Sequence, residues 1–176
     1  MTITAFSQTP QDHLHTLGIA ELIDFILERF HAAHRAELPE LIELARKVER
    51  VHADQEETPH GLADALALLE IDLESHMKKE ELLLFPAMRD SVKQGITQAT
   101  EHMRHDHDFQ EQAIRMIIEL TRAFALPEGA CGSWGRLYAG TAKLCGDLAE
   151  HMAVENDVLF PRFDLAQPHR CTCAHG

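Results

Sequence analysis

Asp72–Pro86 reads DLESHMKKEELLLFP, and Asp147–Pro161 reads DLAEHMAVENDVLFP. Both follow D-L-x-x-H-M-x-x-E-x-x-x-L-F-P, with eight identical positions at an offset of 75 residues. Identity at fixed spacing marks an internal repeat, so two related halves are expected. In each copy Asp, His and Glu stand at i, i+4 and i+8, steps that keep to one face of a helix. His76 with Glu80, and His151 with Glu155, each offer an imidazole and a carboxylate one turn apart. Carboxylates bridge ions and imidazoles complete their shells, and metal-binding bundles project such pairs inward from several helices. A single pair at this spacing is usually a solvated helix face; two matched copies favour a metal site.

Outward from the repeat, apolar residues recur at three- and four-residue steps in four stretches: about Gly18 to Val51, Leu62 to Met88, Thr97 to Phe124 and Trp134 to Phe163. Pro39 is expected to kink or reset the first. The breaks at Ala53–Gly61, Ser91–Gly95 and Ala125–Ser133 are short and polar, the first and last rich in Pro and Gly. No stretch alternates with period two. The expected fold is all-α, an antiparallel up-down four-helix bundle of two pseudo-repeated hairpins. Residues 17–166 are assigned to the bundle, and 1–16 and 167–176 to an N-terminal tail and a Cys/His-containing C-terminal tail. Leu84, Phe85, Leu159 and Phe160 are expected to pack one end of the bundle, with Pro86 and Pro161 kinking or ending their helices.

The hairpins supply two more histidines. In an antiparallel hairpin, residues at one height are equidistant from the turn. The midpoint of His31 and His76 falls near Ala53 and Asp54, and that of His107 and His151 at Gly129. Both midpoints lie in or at the edge of breaks already read from Pro and Gly. Four histidines therefore share one height, and the candidate ligand set is His31, His76, Glu80, His107, His151 and Glu155.

Composition narrows the classes. The 176 residues fit one domain, and 45% apolar content suits a packed globule. A net charge of −13 argues against nucleic acid and anionic membrane surfaces as partners. No run approaches the roughly 18 apolar residues that span a bilayer, and Met1–Pro10 lacks the pattern of a signal peptide. A cytoplasmic setting with reduced cysteines is expected. Thirteen histidines are about three times average usage.

HAAHRAELPELI (His31–Ile42), KVERVH (Lys47–His52), SHMKKEELLLFP (Ser75–Pro86), MRHDHD (Met103–Asp108) and EHMAVENDVLFP (Glu150–Pro161) resemble the hemerythrin-like domain, and within it the repair-of-iron-centres family. The resemblance implies two non-haem iron ions with oxo and carboxylate bridges, Glu80 and Glu155 bridging and His31, His76, His107 and His151 terminal. It also implies repair of iron–sulfur clusters damaged by nitric oxide or oxidants, by donation of iron to the damaged proteins as clients. Binding or sensing of dioxygen or nitric oxide is the alternative, and reduction of nitric oxide or peroxide a third. Family members commonly carry an N-terminal domain with a cysteine pair, and only about 20 residues precede the first helix here.

Other residues carry narrower expectations. His52 lies 21 residues after His31, roughly 31 Å along a straight helix, so it joins the site only if the chain folds back at Pro39. His34 is read as a solvated face, with lining of the site as the other reading. Asp72, Asp147 and Asp106 are either surface acids, acceptors that fix a ligand imidazole, or the lining of a path for iron or protons. His105 should point elsewhere. Trp134 and Tyr138 are read as packing, Cys131 and Cys145 as structural or incidental. Cys171 and Cys173, between His169 and His175, are a tail pair with metal in transit as the functional reading.

Overall fold

Helix α1 (19–51) begins where Glu21 accepts the backbone N–H of Gly18, closing its first turn. The structure, a computed structural model, describes residues 11–90 and 95–164. It contains three further long helices: α2 (62–89), α3 (Ile96–Leu120) and α4 (132–162). Gly61 and Gly95 start α2 and α3 with φ of 89° and 84°, a left-handed backbone that glycine adopts without strain. Helix α1 packs against α2 and α4, and α2 against α3. The described residues form the expected four-helix bundle and contain no strand.

Helix α1 is not reset at Pro39, and the end of α3 differs from expectation. Helix α1 runs on through Pro39 within Ala32–Val51. Pro39 and Arg35, whose carbonyl loses its partner, face solvent, so water can satisfy the freed group. Leu38, Leu41 and Ile42 are buried on the other face and hold both sides of the proline in register. Helix α3 stops at Leu120 rather than Phe124. Arg122, Ala123 and Phe124 all have positive φ, and the Ala123 N–H closes on the Ile118 carbonyl at 2.8 Å. Leu14, assigned to a loose tail, ends a helical turn (Gln11–Leu14) and is buried; Arg162 donates to the carbonyls of Leu14 and Leu17.

Three helices also contain a wider π turn that periodicity did not indicate: Leu27–His31 in α1, Glu80–Leu84 in α2 and Val154–Leu159 in α4. Each inserts one residue, which rotates the remainder of its helix by about 100° around the axis. Leu82 and Leu83 consequently face solvent while Leu84 and Phe85 turn inward.

The core is in two parts. One cluster, including Leu38, Leu66, Leu73, Trp134 and Leu148, fills the half nearer the α1–α2 and α3–α4 connections. The other, including Phe30, Leu84, Phe85, Leu159 and Phe160, fills the opposite end, as expected for the two Leu-Phe-Pro segments. Helices α2 and α4 end at Arg89 and Arg162, shortly after Pro86 and Pro161. None of the described helices is long and apolar enough to cross a membrane.

Candidate metal centre

Imidazoles and carboxylates collect where the two apolar clusters meet. His31 closes the π turn of α1, Glu80 opens that of α2, and Glu155 is the second residue of that of α4. His76 and His151 lie one turn before the two glutamates, and His107 projects from regular helix in α3. All six residues are at most 2% exposed.

The six form two groups that share Glu155. His31, Glu80, His151 and Glu155 offer donor atoms within 4.8 Å of one another, as do His76, His107 and Glu155. Glu80 Oε2 is 3.4 Å from Nε2 of both His31 and His76, on different helices. Glu155 Oε1 lies 2.9 Å from His151 Nε2, and its Oε2 lies 3.1 Å from His107 Nε2. Each carboxylate therefore stands between imidazoles of different helices, the arrangement of a carboxylate that spans two cations.

Several polar atoms here have no hydrogen-bond partner: both oxygens of Glu80, Oε2 of Glu155, Nε2 of His31 and Nδ1 of His151. Buried carboxylates without donors are costly unless positive charge meets them. Without a cation that charge falls on the rings. Burial opposes protonation of His76, but Glu80, Glu155 and Asp106 outweigh it and lift its pKa to about 9. His31 is raised in the same way against burial, by Glu80, Glu155 and Glu81. Burial works against ionisation of Glu155 too, yet His151, His107 and His76 hold it well below the ordinary carboxylate range. A donor set of four imidazoles and two carboxylates, with unpartnered oxygens between them, fits cations at the same place.

A second layer orients the rings. His31 Nδ1 donates to Glu81 Oε1 at 2.7 Å, and His107 Nδ1 meets Asn156 Oδ1 at 3.0 Å. Glu81 and Asn156 each follow a candidate bridging glutamate and occupy one repeat position. Reading the repeat one residue beyond its shared glutamate would have found both. Asp106 is 3.5 Å from His76 Nδ1 and is itself held by Lys79 at 2.7 Å. Such partners fix the tautomer and direction of a ligand ring.

Other expectations resolve differently. His34 is fully buried, contrary to the solvated-face reading. Its ring centroid is 5.4 Å from that of His151, both its nitrogens lack partners, and burial pulls its pKa to about 3. Neither repeat aspartate orients a ligand. Asp72 is exposed, while Asp147 is buried between Arg29 at 2.8 Å and Lys143 at 2.7 Å. His105 is exposed beside Asp108. His52 ends α1 and joins neither group; its Nε2 meets Cys131 Sγ at 3.1 Å. Trp134 and Tyr138 are buried in the core, and Cys145 is buried. Cys171 and Cys173 lie outside the described residues.

Residues 22–164 match the family model described as the hemerythrin HHE cation binding domain. The chain belongs to the hemerythrin HHE family. Among its relatives, this hemerythrin-domain chain is 43% identical over 144 residues to the iron-sulfur cluster repair protein YtfE of Pectobacterium atrosepticum. That match covers 82% of this chain and 65% of the relative. The Salmonella typhimurium YtfE is 42% identical over 82% of this chain and 66% of its own length. The iron-sulfur cluster repair protein DnrN of Neisseria gonorrhoeae is 45% identical over 80% of this chain and 88% of its own length. The matched part of this chain thus spans slightly less than two thirds of these two YtfE proteins.

Proposed function

We propose that the unit of residues 17–166 binds two iron ions and restores damaged iron–sulfur clusters in the cytoplasm by donating iron to the damaged proteins. The observation that carries the reading is the pair of donor groups joined at Glu155, which gives two cation positions one shared carboxylate. In this reading His31 and His151 serve one position, His76 and His107 the other, and Glu80 and Glu155 bridge them. Bound iron would supply a redox-active, exchangeable cation. The chain's contribution is to hold it without locking it in.

Two features support release. A carboxylate can move between one-ion and two-ion binding by rotating about its own side chain. Glu81, which holds His31, is part-exposed and also accepts from Arg35 at 2.7 Å, so solvent lies one residue from the candidate shell.

The test begins with metal content and the visible spectrum of protein purified without added metal. About two irons per chain, with near-ultraviolet oxo-bridge absorption, is expected. The diferrous protein should then reactivate a nitrosylated or apo cluster enzyme faster than free ferrous iron at equal concentration. A transfer rate equal to that of free iron would sink the donation reading. A stable oxygenated or nitrosyl adduct without iron loss would replace it with binding or sensing of dioxygen or nitric oxide. Zinc in place of iron would overturn the cofactor.

A further inference from the structure

A second constellation sits at the end of the bundle where α1 runs out and α4 begins. Cys131 is the residue that caps the N-terminus of α4, and its backbone is extended there, with φ −73° and ψ 163°. Its thiol faces the first backbone N–H groups of the helix, those of Ser133 and Trp134. From the opposite side His52, at the C-terminus of α1, brings Nε2 to within 3.1 Å of Sγ, across 79 residues of sequence. Neither residue touches the candidate metal centre.

The pair has the parts of an activated nucleophile: a thiol, a base within hydrogen-bond reach, and a fixed orientation for that base. The His52 ring is packed against the indole of Trp134, with centroids 4.9 Å apart. The His52 carbonyl is held by the Thr58 hydroxyl. Helix-start N–H groups favour a thiolate for the same reason that they favour any anion. Cys131 is part-exposed, so a small molecule can reach its sulfur. Cys145 provides the contrast. It is buried in the apolar half of α4, where burial alone drives its thiol up to about 11.

We propose that Cys131 and His52 form a reactive thiol site that exchanges with small-molecule disulfides. His52 takes the Cys131 proton, and the thiolate attacks one sulfur of the disulfide. The Cys131 S–S bond forms as the original S–S bond breaks. The departing thiolate leaves with the electron pair and recovers the proton from His52. No other oxidant or reductant is consumed. The His52 contact, with the helix-start N–H groups nearby, brings the thiol down to about 7, and an attacking thiol is most effective when its pKa is near the ambient pH. Cys145 is 14 residues further along α4, about 21 Å, and is buried. Cys145 therefore cannot resolve the product, which an external thiol can remove. This site is independent of the iron reading.

The experiment is timed exposure of the full chain to glutathione disulfide at pH 7, followed by acid quench, trypsin digestion and mass spectrometry. Arg136, Lys143 and Arg170 place Cys131, Cys145 and the Cys171/Cys173 pair on separate peptides, so each is read independently. In the native chain Cys131 should form the mixed disulfide about five- to tenfold faster than in the same chain unfolded in urea. Cys145 should show the opposite order. His52→Gln should bring the native Cys131 rate down by a similar factor while circular dichroism stays helical. A native rate no faster than the unfolded rate overturns the proposal, as does a folded His52→Gln variant with unchanged rate. If that variant does not fold, the native-to-unfolded ratio of the unaltered chain decides.

Discussion

His31 donates from Nδ1 to Glu81 at 2.7 Å, and Glu81 is the immediate neighbour of the glutamate whose oxygen lies 3.4 Å from the other nitrogen of the same ring. One helix turn therefore supplies both a candidate bridging oxygen and the group that aims the imidazole toward the same place. The second half repeats the device with Glu155 and Asn156 around His107. Glu81→Ala and Asn156→Ala should each weaken metal binding by about 10- to 100-fold, because the ring loses its fixed tautomer and direction. Competition with a chelator of known affinity measures this. Glu43→Ala, an exposed change in α1, should leave affinity unaltered.

Sharing of Glu155 by the two groups separates single from double metal loss. Glu155→Ala should bind close to no metal, whereas His107→Ala should keep about one ion per chain, held by the group that lacks His107. Elemental analysis after dialysis distinguishes these outcomes. Equal retention by both variants would refute the two-position arrangement.

Asp147 ties α4 to α1 through Arg29 and carries a pH dependence. Burial resists its ionisation, but hydrogen bonds from Arg29 and Lys143 prevail and hold its pKa below the ordinary 3.8. A depressed carboxyl pKa stabilises the fold above the unfolded value, and the contribution is lost as pH falls through the folded value. Asp147→Asn should therefore cost about 1 kcal/mol near pH 6, and the difference in Tm from the unaltered chain should shrink steadily below pH 4. A difference independent of pH would place the effect in packing instead.

His34 buries two ring nitrogens without partners. A buried polar group left unpaired costs about 1 to 3 kcal/mol, so His34→Leu should raise the thermal stability of the metal-free chain. Chelator-treated samples of both forms provide the comparison. A fall in stability would mean that the ring makes polar contacts in solution.

The sequence alone determined the helices, their pairing and the six candidate ligands. Periodicity is a local property, and the equal distances of His31 and His76, and of His107 and His151, from their turns depend on chain length alone. The described structure brings those six side chains together. The π turns, the roles of Glu81 and Asn156, and the burial of His34 depended on tertiary packing. An inserted residue rephases a helix without altering its apolar count, and only the neighbouring helix decides which face is covered. The divergence of Asp72 from Asp147 has the same origin: one repeat copy faces water and the other faces Arg29 and Lys143. The contact of His52 with Cys131 lay furthest from the sequence, because no local pattern links residues 79 positions apart. Only the docking of the end of α1 against the start of α4 brings them within hydrogen-bond reach.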